Sequence, residues 1–433
     1  MNTNSSDLST TIASWTRKLS LSILLVGCLC SPSWGEVKTA EIVGKPSVQD
    51  DSVKLRIKVT DTNGRPVTEL PQKYFSLVVD GKSVPLSEND EWKSSQETEP
   101  PPTWIVVLLD YSGSMRQLDS RGTTKLAGAV NAIKQFTTAI AERGPNTQVA
   151  IVPFGDPGPN CAGNPVNKEN LDKFFPASDF KLINYLDFLA SQSPCASTNL
   201  YEPLTKAIRF LDNQEDTRFY VPKDSEQPEP KLAVVLLSDG YHNKPNEKQD
   251  FDKLISLLKE NKRITVHTLG YGLTAEQLGK NYSLGHDATR KDIGIGAGKV
   301  PAEEFVDEQR LKQIANATRG IDEFSPDAEA VTDKLKVFLN ALLGEYEITY
   351  TQPNAERGSK HEIGVVVQSD KSEPKPYTIN SEPKPYTITV FGRSLPLQAR
   401  LLMMLIVLVA MGAGGAVPFW LWAKHLKREA QEA

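Results

Sequence analysis

Hydrophobic positions fall into distinct regimes along the chain. From about Glu41 to Val84 they alternate, with Val53, Leu55, Ile57 and Val59 interleaved with Lys54, Arg56 and Lys58, the period of two that gives a strand one buried and one wet face. Asn63-Gly64 and Asp80-Gly81 supply the residues tolerant of positive φ that hairpin turns need. From Thr103 to Leu343 short continuous apolar runs take over. Trp104 to Leu109, Gln148 to Phe154, Lys231 to Leu237 and Arg263 to Gly270 predict strands buried on both faces. Stretches over 123–141, 181–190, 203–212, 251–260 and 327–342 carry helical spacing. Strands alternating with helices imply an α/β domain, a doubly wound and mostly parallel sheet covered on both faces.

Beyond Gly344 the period returns to two, in Tyr346 to Tyr350 and Ile363 to Val367. Strands so few are not a stable unit. They are expected to complete a small β-sandwich, with an N-terminal part at 36–95, a C-terminal part at 344–392, and the α/β domain at 103–343 inserted between the two. The acidic, Pro-rich stretch Ser87 to Pro102 reads as a linker. Ser372 to Ile379 recurs unchanged as Ser381 to Ile388. The odd shift puts side chains on opposite faces, so only the second copy is expected to pair, and the first to loop out. The stretch from Leu273 to Pro301 shows no assignable pattern.

Both ends carry apolar runs of a different kind. Arg17-Lys18 precede Leu19 to Cys30, and Ser33-Trp34-Gly35 offer small residues for cleavage, so residues 1–35 read as a signal peptide; an uncleaved anchor is the alternative. Leu25-Val26-Gly27-Cys28 also resembles a bacterial lipoprotein box, which would lipidate Cys28 and leave Cys30 unpaired. Leu401 to Trp422 is a 22-residue apolar segment, long enough to cross about 30 Å of hydrocarbon. Lys424, His425, Lys427 and Arg428 follow it and mark residues 423–433 as a cytoplasmic tail. The expectation is a single-pass plasma-membrane protein whose bulk, from Glu36 to about Gln398, is extracytoplasmic, either periplasmic or extracellular.

Composition narrows the function. The net charge is −5 over 433 residues, and no basic block interrupts the body of the chain, which argues against a nucleic-acid partner. Of four cysteines, only Cys161 and Cys195 survive signal cleavage. Outside the cytoplasm they are expected to form one disulfide, with two buried thiols as the alternative.

Candidate chemistry begins where the first buried strand ends, in Asp110-Tyr111-Ser112-Gly113-Ser114. The carboxyl ends of strands are where open α/β sheets bind ligands. A carboxylate and two hydroxyls on one tight loop suit a small hard cation such as Mg²⁺ or Mn²⁺, although a helix cap and polar loop have the same spacing. Lys231 to Leu237 ends in Ser238-Asp239-Gly240, and between the two strands lies the loop Ser197-Thr198-Asn199. In this combination the chain resembles the von Willebrand factor type A domain, whose metal-ion-dependent adhesion site joins an Asp-x-Ser-x-Ser loop, a downstream Thr and a later Asp. Asp110, Ser112, Ser114, Thr198 and Asp239 fill those positions in order. Leu311 to Gly320 resembles the family's penultimate helix and turn.

Enzymatic signatures are missing from the sequence. His242, His267, His286, His361 and His425 show no metal-ligand spacing, and there is no Cys-x-x-Cys and no Gly-x-Ser-x-Gly elbow. Gly294 to Val300 resembles a phosphate loop but has Ile293 in place of the first glycine and Val300 in place of Ser or Thr. The resemblance therefore implies a non-enzymatic adhesion or protein-binding module, in which a partner's Asp or Glu completes the coordination of a divalent ion. The alternative is an accessory or assembly subunit of a membrane-associated complex, such as the family members that work with AAA+ ATPases. Those act through cytoplasmic contacts, which the expected orientation disfavours.

Overall fold

A computed structural model of the chain describes residues 37–62, 64–68, 70–86, 90–98, 100–158, 160–222, 225, 227–367, 386–391 and 395–432. The expected signal peptide with Cys28 and Cys30, Asn63 of the first turn, residues 87–89 of the expected linker, and the repeat up to residue 385 lie outside them. The described residues begin with six strands: β1 (Val37–Ile42), β2 (Ser47–Gln49), β3 (Ser52–Asp61), β4 (Phe75–Val79), β5 (Lys82–Pro85) and β6 (Glu91–Lys93). Alternation in β3 does what the pattern requires, burying Val53, Leu55, Ile57 and Val59 completely. Asp80 and Gly81 take φ of 50° and 75° to turn β4 into β5. Strand β6 corrects the linker expectation. A three-residue strand has no readable period, and Trp92 holds it by packing its ring 6.2 Å from Phe75 and 6.1 Å from Tyr346.

The central part runs through β7 (Thr103–Asp110), α1 (Lys125–Arg143), β8 (Thr147–Phe154), α2 (Lys168–Leu171), β9 (Phe175–Pro176), α3 (Phe180–Ser191), α4 (Tyr201–Leu211), β10 (Lys231–Ser238), α5 (Glu247–Glu260), β11 (Ile264–Tyr271), α6 (Ala275–Asn281), α7 (Glu308–Ala317), β12 (Asp322–Ser325) and α8 (Ala328–Leu343). Its strands form one sheet in the order β12-β11-β10-β7-β8-β9, parallel except for the short edge strand β9. Successive side chains of β7 point to opposite faces. Ile105, Val107 and Leu109 pack with residues of α1, α3 and α8 such as Ile133, Leu186 and Phe338. Val106 and Leu108 pack with residues of α4, α5 and α7 such as Leu204, Leu254 and Leu311. The unassigned stretch after β11 contains α6, started by a Thr274–Gln277 capping box, and a small core of Leu278, Ala288, Val300 and Phe305.

Three more strands follow, β13 (Tyr346–Thr351), β14 (Arg357–Val367) and β15 (Tyr386–Phe391). They pair with strands from the start of the chain. β13 lies antiparallel between β3 and β6, and β14 between β4 and β15. The outcome is two antiparallel sheets, β1-β3-β13-β6 with β2 on β3, and β15-β14-β4-β5. Phe75 of the second sheet meets Tyr346 of the first at 4.8 Å between ring centres. The Tyr346 hydroxyl donates to Val67 O and accepts from Leu70 N, both at 2.9 Å. Ion pairs connect these sheets to the α/β part: Lys231 with Glu345 at 2.6 Å, just before β13, and Arg65 with Glu323 at 2.6 Å. Finally, α9 (Leu397–Met411) continues through a π-turn at Gly412–Ala416 into α10 (Val417–Glu432). Within them Leu397–Arg428, with mean hydropathy 2.3 over its most apolar window and none of that window buried, is long and apolar enough to cross a membrane.

A fragment of residues 36–95 contains β3 and β4 but neither of the strands, β13 and β14, that cover their open edges. It is expected to give a collapsed amide spectrum by NMR, without protected amides; dispersed and protected amides would show that these strands are stable without their C-terminal partners.

Candidate metal centre

Leu109 of β7 pairs with Leu237 of β10, so the two strands release Asp110 and Ser238-Asp239 side by side at the carboxyl edge of the sheet. Both aspartates are fully buried. Asp110 Oδ1 accepts from Ser112 N at 2.9 Å and Oδ2 from Ser238 Oγ at 2.5 Å. Burial, and after it the neighbouring Asp239 carboxylate, push the Asp110 carboxyl up to about 7 in spite of those hydrogen bonds.

Past Ser112 the chain makes one 3₁₀ turn, Gly113–Arg116, anchored by the buried Met115. This turn brings the second serine back over the first. Ser112 Oγ and Ser114 Oγ lie 3.0 Å apart, Ser114 Oγ donates to Asp239 Oδ1 at 2.8 Å, and Ser112 Oγ is 3.5 Å from that same oxygen. Neighbouring ligands of an octahedral ion with 2.0–2.1 Å bonds are separated by about 3.0 Å. The three oxygens thus have the spacing of adjacent ligands to a small hard cation.

Thr198 approaches from the other side. A Cβ on Gly240 would lie 3.0 Å from Thr198 Oγ1, so a glycine after Asp239 lets that hydroxyl come close. Backbone bonds fix the Thr198 loop on two sides: Gly113 N donates to Ala196 O at 3.0 Å, and Asp156 and Ser197 exchange both bonds at 2.8 and 3.0 Å. Gly155 permits this approach, since a Cβ there would sit 2.5 Å from Ala196 Cβ. The Cys161–Cys195 disulfide closes the same region. The Asn199 amide donates to both oxygens of Asp156 and to Glu202, at 3.1 to 3.2 Å. Of the residues singled out in the sequence, Asp110, Ser112, Ser114 and Asp239 share one hydrogen-bonded cluster, and Thr198 stands beside Gly240.

Three participants were not visible in the sequence. Ser238 orients Asp110. Lys125 Nζ sits 2.8 Å from Asp239 Oδ2, and in the sequence it is only a lysine after a helix-capping threonine. His242 is 2% exposed, lies flat on Tyr201 at 3.9 Å, and among the described residues neither ring nitrogen has a hydrogen-bond partner. Burial, with Arg290 adding to it, lowers His242 to about 4. Arg290 donates to His242 O at 2.6 Å and pairs with Asp307 at 2.9 Å, which ties the segment after α6 to the flank of the cluster.

The donor set fits a hard divalent ion. Every candidate ligand is a carboxylate or hydroxyl oxygen, and no group of three or more His, Cys, Asp or Glu side chains suited to a metal occurs among the described residues. Two buried carboxylates face a single ammonium, so one negative charge is unmatched, which adds to burial in raising the Asp110 carboxyl.

Residues 105–242 match the family profile of the von Willebrand factor type A domain. No curated protein sequence matches the chain. Among solved structures, the chain is similar to the conserved hypothetical protein BatB from Bacteroides thetaiotaomicron, at 17% identity and TM-score 0.33, over 55% of this chain and 98% of that one. It is similar to the pilus adhesin SpaC from Lactobacillus rhamnosus GG, at 14% identity and TM-score 0.39, over 82% of this chain and 47% of the adhesin. It is also similar to a von Willebrand factor type A protein from Catenulispora acidiphila, at 12% identity and TM-score 0.38, over 84% and 75% of the two chains.

Replacing His242 with Phe removes a titrating ring whose nitrogens bond to nothing among the described residues. The native ring titrates near 4 folded and near ~6.5 unfolded. Its contribution to stability is therefore complete above pH ~6.5 and is lost as pH falls toward 4, by roughly 3 kcal/mol at most. In urea unfolding of segment 36–398, His242→Phe should match the native protein at pH 7 and be the more stable at pH 4.5. Equal losses in both would show that the imidazole accepts a proton in the folded state.

Proposed function

With a von Willebrand factor type A domain at its centre, we propose that the chain is a membrane-anchored protein-binding module. Its site holds Mg²⁺ or Mn²⁺ through Asp110, Ser112, Ser114, Thr198 and Asp239, and its partner presents an Asp or Glu side chain. The observation that carries this reading is the triangle of Ser112, Ser114 and Asp239 oxygens at 2.8 to 3.5 Å, beside two buried carboxylates that share a single ammonium. Bound there, the divalent ion supplies a Lewis-acidic position for a carboxylate oxygen from outside. The rest is positioning by this chain: Ser238 and the Ser112 amide fix Asp110, the 3₁₀ turn fixes Ser114, and the loop bonded to Gly113 and Asp156 fixes Thr198.

The activity proposed for this cluster is binding of a carboxylate-bearing partner. The C-terminal helix serves as the membrane anchor. The basic residues after it hold that end in the cytoplasm and place the binding domain on the far side. Partner identity resides in the surrounding loops, among them the disulfide-closed segment before Thr198 and the segment after α6.

Calorimetry with Mg²⁺ and Mn²⁺ tests the site. The native protein should show one saturable, modest-affinity site. Asp239→Asn and Asp110→Asn should each weaken it by tenfold or more, and Ser114→Ala by a smaller factor. Thr198→Ala should leave metal affinity nearly unchanged and reduce partner capture. Native protein without saturable divalent-ion binding would end the proposal, and protection of the domain from protease added to spheroplasts would reverse the orientation.

A further inference from the structure

Lys125 has no task in the function just proposed, yet it is the least exposed lysine or arginine among the described residues. It is the first residue of α1. Its ammonium lies 2.8 Å from Asp239 Oδ2, with the lysine side chain 9% exposed and the carboxylate 0%. Burial strips an ammonium of its water at considerable cost, and the first turn of a helix favours anions over cations. Helix stability therefore does not account for it. The other oxygen of the same carboxylate, Oδ1, accepts from Ser114 Oγ and faces Ser112 Oγ. A single carboxylate thus holds the ammonium on one side and the triangle of candidate ligand oxygens on the other.

We infer that Lys125 is a resident counter-cation that sets the charge of the site, weakening divalent-ion binding and leaving the loaded site positive enough to take a carboxylate. This rests on the metal reading of the preceding section. The charges decide the sign. Asp110, Asp239 and Lys125 sum to one negative charge, so a divalent ion brings the site to one positive charge, and an incoming carboxylate returns it to neutrality. Without the lysine the loaded site is already neutral, and a carboxylate makes it negative in a buried setting. The same ammonium repels the metal across a single carboxylate, where screening by water is poor.

The test uses the detergent-solubilised full chain with Mn²⁺ as the probe, followed by electron paramagnetic resonance, and acetate as the carboxylate, followed by the water-proton relaxivity of bound Mn²⁺. Lys125→Met and Lys125→Gln are the two neutral variants, checked for folding by circular dichroism, and Lys125→Arg keeps the charge. The neutral variants should bind Mn²⁺ at least about tenfold more tightly than the native chain, and the Arg variant within about threefold of it. Acetate should lower the relaxivity of the loaded native chain and leave that of the loaded neutral variants unchanged. Native binding with equal or weaker binding by folded neutral variants overturns the inference alone. Binding by the neutral variants and none by the native chain supports it, because the ammonium then excludes the metal outright. If neither Lys125→Gln nor Lys125→Met folds, the ammonium is required to hold the carboxylates together, and a native chain that binds Mn²⁺ no more weakly at 0.5 M than at 0.05 M KCl, with acetate leaving its relaxivity unchanged, overturns the charge-setting role. No Mn²⁺ binding by any folded form removes the metal reading, and this inference with it.

Discussion

A carboxylate buried in a protein requires either a partner charge or a proton, and adjacent parallel strands, one ending at an Asp and the other followed by one, impose that requirement twice in one place. The pairing of β7 with β10 leaves no freedom here, because the strands run in register up to Leu109 and Leu237. What surrounds Asp110 and Asp239 is the response to that constraint. Ser238 and the Ser112 amide donate to one carboxylate, Ser114 and Lys125 to the other. Those donors fall one charge short, and burial, with the Asp239 carboxylate after it, drives the Asp110 carboxyl up.

The cluster is built from loops, yet its loops are fastened to one another and not merely adjacent. Residues 196–198 are hydrogen-bonded to the Ser112 loop on one side and to Asp156 on the other, with the disulfide closing the same segment. This replaces the hydrophobic packing that loops lack. Two glycines make the arrangement sterically possible: Gly155 against Ala196, and Gly240 against Thr198.

The strands of the α/β part were legible because they are buried on both faces and hence continuously apolar, and the helices because their spacing is regular. The five proposed ligand positions were legible because each follows such a strand or opens such a helix. Elements too short to carry a period were not: β6, of three residues, read as linker, and β9 and β12, of two and four, carry no readable pattern. Lys125 and Ser238 were hidden for a different reason. Their roles depend on which strands and helices become neighbours, and a lysine near a helix start or a serine at a strand end is ordinary in isolation. His242 appeared only as a histidine without metal-ligand spacing, while its burial against Tyr201 is a property of the packed loop.

The chain leaves the two antiparallel sheets after β6 and returns to them at β13, and these strands are hydrogen-bonded neighbours, Lys93 opposite Glu347 and Trp92 opposite Ile348. Departure and return are therefore one strand spacing apart, about 4.8 Å, with Lys93 Nζ 3.0 Å from Glu347 Oε1 across the gap. A short hairpin turn spans the same distance. The α/β part thus departs and returns through a single strand spacing, and the pairing of β13 with β3 and β6 runs on beside it unbroken.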